Sequence, residues 1–84
     1  MLALNMKNET VKLSEKRQEE FLYLLDYICE LQDIMFGLIE EIRFCILNNQ
    51  MAQREISDFN YYNEEMKEKN KILLNELIKI YFQN

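Results

Sequence analysis

The chain has no histidine, no proline and a single glycine among its 84 residues. The first absence removes the most chemistry. Without imidazole there is no Ser-His or Cys-His nucleophile pair, no histidine metal ligand and no Glu-x-x-His motif of a di-iron bundle. Missing proline and nearly missing glycine leave few helix breakers, so long helices with few reversals are expected. Cysteine is sparse too. Cys29 and Cys45 stand sixteen positions apart in one predicted helix, about 24 Å, which is beyond disulfide reach. The expectation is two reduced, buried thiols in a cytoplasmic protein. The alternative is an interchain bridge: an antiparallel pair of these helices crossing at Gly37 would bring Cys29 near the partner's Cys45. Gly37 then marks either close helix approach or a tolerated exposed glycine, which costs ~1 kcal/mol in a helix interior.

What is present is dominated by the stretch from Phe21 to Leu47. With Phe21 at heptad position a, the a positions are Phe21, Ile28, Met35 and Ile42. The d positions are Leu24, Leu31, Leu38 and Cys45. All are apolar, the signature of a packed helix. Leu25, Ile39 and Ile46 at position e widen the stripe, and Leu22, Tyr27, Ile34 and Phe36 add to its flanks. An ordinary surface helix is apolar over roughly 100°. This one is polar over about that width and apolar over most of the rest. Such a face, about 40 Å long, exceeds what one neighbouring helix covers. A second copy is the expected cover, with self-association through Ile28, Leu31, Met35, Leu38, Ile42 and Cys45. A membrane span is rejected, because Asp26, Glu30 and Asp33 sit in the middle of the stretch.

Residues 1–13 lack a sustained apolar run and read as a flexible or loosely docked arm. The first apolar cluster there is too short for a signal-peptide core. Val11 and Leu13 are candidates to pack on the helices. Ser14 is a good N-cap with Glu15 behind it, and Thr10 is a second candidate. The first helix should end near Leu47, where Asn48-Asn49-Gln50 is the first cluster of turn formers. A second apolar series (Ala52, Ile56, Phe59, Met66, Leu73, Leu77, Ile80) keeps helical spacing afterwards. Folding back at 48–50 gives two helices of similar length, about 15–47 and 51–82, with facing residues summing to about 98. Two alternatives stand: one continuous rod with Asn49, Asn63 and Asn70 at a, or a turn at 57–63, where helix formers are weak. The expected fold is therefore an all-α antiparallel helical hairpin over residues 14–84, pairing into a homodimeric four-helix bundle.

Charge is uneven. Residues 15–47 hold eight acids against three bases, whereas residues 48–84 hold six against five. In the second half the signs interleave, as on a solvated helix face. In the first half Glu19, Asp26, Glu30, Asp33 and Glu40 run along one side with little compensation. That strip is either a solvated face or a ladder for a basic partner surface. Three carboxylates on a straight outer face do not converge on a metal, and no cofactor is implied. Tyr61 and Tyr62 are the second candidate partner contact, since tyrosine is enriched at interaction hot spots. The bland reading puts one of these rings in the bundle and the other at its rim. The overall charge of −5 argues against direct nucleic-acid binding.

Three function classes follow. The first is a non-enzymatic protein–protein interaction module: a small adaptor, chaperone-like factor or regulator that acts as a homo-oligomer. The second is an acidic inhibitor of the kind phages and mobile elements encode, which would block the basic groove of a nucleic-acid enzyme. The third, a binder of a small ligand between subunits, has nothing in the sequence that demands it. An enzyme is not expected.

Overall fold

The computed structural model describes residues 12–82, and within them two helices account for nearly the whole chain. Helix α1 spans Glu15–Leu47 and helix α2 spans Gln53–Tyr81. They fold against each other as an all-α antiparallel hairpin. No described helix is long and apolar enough to cross a membrane. The arm expected at 1–13 falls almost wholly outside the described residues, as do Thr10 and Val11.

Helix α1 begins where local chemistry says it should. Ser14 is extended (φ −63°, ψ 159°), and its Oγ accepts from the Arg17 N–H at 3.2 Å. That satisfies one of the four orphan donors of a helix start. The helix ends in a hydrogen-bonded cap. The Gln50 N–H donates to the Cys45 carbonyl at 2.8 Å and the Asn49 N–H to the Ile46 carbonyl at 3.3 Å. Asn49 sits in the left-handed region with φ 54°. This is the Schellman arrangement with asparagine where glycine is more common. The Asn48 side-chain amide donates to the Phe44 carbonyl at 2.8 Å, tying down another free acceptor.

The chain thus reverses at 48–52, and α2 runs unbroken through 57–63. Both the continuous rod and the later turn are ruled out. The weak helix formers of SDFNYYN are carried by the apolar seam around them, with Phe59 and Met66 on the side facing α1. Tertiary packing outweighs propensity of a few tenths of a kcal/mol per residue.

Phe21 and Ile28 of α1 and Leu73 of α2 form the central cluster. Leu13, Leu24, Met66, Leu77 and Ile80 pack around it. Positions a of one helix therefore interleave with positions d of the other, as knobs into holes. Polar pairs flank this seam. Arg17 reaches Glu76 at 2.9 Å, and the Tyr27 hydroxyl donates to Glu65 at 2.9 Å. These pairs sum to 93 and 92, short of the 98 expected for facing residues. The difference of five to six residues is about one and a half helical turns, and a residues meet d residues where the simpler fold-back set a against a.

The core is thin. Phe21, Ile28, Leu31, Met35, Cys45 and Leu73 are buried, but no described side chain is completely sealed. Chains of this size usually need further burial or cross-links for full stability.

Candidate interaction surface

The covered and uncovered sides of α1 divide its apolar residues sharply. The a and d positions face α2: Leu31 retains 3% of its exposure and Phe21, Met35 and Cys45 each 8%. Of the six residues expected to mediate self-association, Ile28, Leu31, Met35 and Cys45 are thus covered within the chain. Leu38 and Ile42 are half-covered.

The open apolar surface lies one step around the helix. Positions b and e read Leu22, Leu25, Cys29, Gln32, Phe36, Ile39, Arg43 and Ile46. Their spacing alternates three and four, which is a second heptad seam. Six of the eight are apolar. Leu22, Phe36 and Ile46 keep 60%, 65% and 68% of their exposure. At about 100° per residue this stripe is centred roughly 100° from the buried one, and it runs about 36 Å.

Its surroundings follow from the hairpin. Contacts between g positions, such as Lys69 above the Tyr27 ring at 5.7 Å, occupy one flank of the interhelix seam. The e positions of both helices therefore share the opposite flank. There α2 contributes exposed Leu74 and Ile78 beside Leu22 and Leu25, at the end away from the turn. At the turn end, Ile39, Ile46 and Leu47 border a shallow apolar groove, and Met51 is exposed nearby. The stripe is broadest at its two ends.

The acidic strip borders this stripe. Asp26, Asp33 and Glu40 stand at position f, about 40° beyond b, and Glu30 stands at c. All four are exposed. Glu40 lies 3.7 Å from Arg43, and among the described residues no ion pair is formed by Asp26, Glu30 or Asp33. No group of three or more potential metal-ligating side chains converges among the described residues.

Tyr61 is exposed and Tyr62 half-buried, their rings 5.2 Å apart and nearly perpendicular. Tyr62 lines the interhelix cleft with Ile34 and Leu38, so one ring belongs to the bundle and the other to its rim. The hydroxyl bond to Glu65 raises the pKa of Tyr27 above the ordinary phenol value, with desolvation second. The Arg17 hydrogen bond, then the Lys79 charge, lowers Glu76 below the ordinary carboxylate range.

Two further expectations change. Cys29 is exposed and Cys45 buried against α2. The two thiols are on different faces, so one antiparallel α1 pair cannot bring both to its seam. Gly37 has nothing within 4 Å of where a Cβ would stand, so it serves no close approach within the chain.

The b/e stripe was legible in the sequence as surplus apolar width. Its spacing of three and four marks it as a seam, but only the return path of α2 separates it from the buried one. Searches for related proteins add no analogy: no family model, curated protein or solved structure matches the chain significantly.

Proposed function

We propose that this chain is a non-enzymatic protein–protein interaction module that works as a homo-oligomer. The observation that carries the reading is the second heptad seam, Leu22 to Ile46, left open beside a first seam that is turned to α2. Exposed apolar stripes of this length mark association surfaces. The thin core supports the same reading, because a partner laid along the stripe would add burial that the hairpin lacks.

A twofold antiparallel arrangement suits the stripe best. Setting α1 against a second α1 with the dyad near residue 34 places Leu22 opposite Ile46 and Cys29 opposite Ile39. The apolar turn end of one copy then meets the Leu22, Leu74 and Ile78 end of the other. One patch complementing itself in this way is what a closed dimer requires. The product is a four-helix bundle with α1 central.

The test is solution mass by light scattering. Wild type is expected at the dimer mass. Phe36→Glu combined with Ile39→Glu is expected at the monomer mass with helical circular dichroism retained. A wild-type monomer, or a double variant of unchanged mass, overturns the proposal.

The exposed acidic strip supports a second reading, the inhibitor of a basic nucleic-acid-binding groove. It predicts that reversing Asp26, Glu30 and Asp33 together abolishes capture of such an enzyme and leaves the bundle folded. Retained capture removes it.

A further inference from the structure

The open stripe and the acidic strip are neighbours, and their adjacency constrains what fits. In the antiparallel self-pair, Asp26, Asp33 and Glu40 of both copies run along one edge of the interface. Six carboxylates then share a border, and among the described residues Glu40, held by Arg43 at 3.7 Å, is the one of these three with an ion pair. Like charges along such an edge oppose pairing by tenths of a kcal/mol each, and more at low salt. The apolar surface therefore suits a second copy, while its electrostatic border does not.

We infer that the stripe selects a basic amphipathic helix of another protein, and that self-pairing is the resting state such a helix displaces. The inference rests on the association reading above. The partner needs apolar residues alternating three and four apart over about 24 residues, matching the stripe from Leu22 to Ile46. It needs Lys or Arg on the flank that meets Asp26, Asp33 and Glu40. Helix-in-groove recognition of this kind draws affinity from the apolar anchors and selectivity from the charged rim. A nucleic acid is the wrong occupant, because it brings no apolar seam and meets carboxylates with phosphates.

Three labelled synthetic helical peptides test this. One has a Leu/Ile seam flanked by lysine. The second has the same seam flanked by glutamate. The third has the lysine composition with the seam scrambled. Binding is read by fluorescence anisotropy at low and high salt, and the mass of each mixture by light scattering. The lysine-flanked peptide is expected to bind ~10-fold or more tighter than either control at low salt, and to lose much of that margin at 0.5 M salt. It should convert the dimer to a one-to-one complex. Asp26→Lys with Asp33→Lys and Glu40→Lys should reverse the preference between the first two peptides while helicity stays unchanged. Equal binding of the lysine- and glutamate-flanked peptides, binding that survives scrambling, or no binding overturns the inference. A wild-type dimer that binds none of them overturns it and leaves the self-association reading standing. A wild-type monomer that still prefers the lysine-flanked peptide has the opposite outcome, supporting the partner and removing the dimer.

Discussion

Along α1, the seam of Phe21, Ile28, Leu31 and Met35 and the stripe of Leu22, Leu25, Phe36 and Ile39 lie about 100° apart. They use the same kinds of side chain. One is packed against α2 and the other faces solvent. Side-chain chemistry therefore does not explain the difference. The direction in which the chain returns does. A turn at 48–52 brings α2 onto the a/d side, and the polar b and e positions of its first half (Gln53, Ser57, Asn60, Glu64) cannot extend cover around α1. The lesson is that helix width sets how many neighbours a helix needs, while connectivity decides which side is supplied internally.

The strongest test contrasts the two sides directly. Leu31→Ala should destabilise the hairpin by about 2–4 kcal/mol, as for a buried core leucine. Phe36→Ala, measured at concentrations low enough to keep the protein monomeric, should stay within about 0.5 kcal/mol. Urea denaturation of both variants gives the comparison. Equal losses would mean that the stripe is covered in the monomer.

A smaller effect is expected where both sides depend on α1 forming at all. Ser14→Ala removes the N-cap bond to Arg17 and should cost ~1 kcal/mol in the same assay. Because it acts on the helix rather than on a face, it should leave the preference between stripe and partner untouched. Ser14→Asp, which restores an acceptor and adds a favourable charge, should recover the loss.

Gly37→Ala sharpens the boundary of the open region. The site is spacious and helical, so alanine should raise stability by up to ~1 kcal/mol. Gly37 belongs to the acidic side, so dimer mass should not change. A loss of association would place a partner backbone over Gly37 and move the docking surface around the helix.

The smallest expected effect concerns pH. Glu76 titrates below its ordinary value because Arg17 and Lys79 hold its carboxylate. Its contribution is present above the unfolded carboxylate range and is lost as pH falls through the lower folded value. Tyr27 is shifted upward by Glu65, so its contribution is present below the ordinary phenol value and lost as pH rises through the higher folded one. Glu76→Gln should flatten the acid limb of stability against pH, and Tyr27→Phe the alkaline limb. Both groups flank the covered seam, so neither variant should alter peptide preference.

How much of this was readable beforehand depends on how local each feature is. The Ser14 cap, the Leu47 end and the Asn48–Gln50 reversal are fixed by neighbours within a few residues, and the sequence placed them closely. The start of α2 shifted by two residues because Ala52 carries no capping side chain. The identity of the open face was not readable in the same way. Positions a, d and e are apolar alike, and only the return path of α2 tells which of them lose contact with water. The same dependence hid the exposure of Cys29 and the Tyr27–Glu65 bond, each set by a helix about forty residues away in sequence.

The incomplete sealing of the core has a consequence for how the hairpin opens. With just one row of side chains between the helices, every layer is also an edge, and no layer must yield before another. Amide exchange along α1 and α2 should then be graded from both ends and the turn inward, without a single slow-exchanging block. A companion laid on the second seam would give α1 contacts on two sides, and its amides would become the slowest in the molecule.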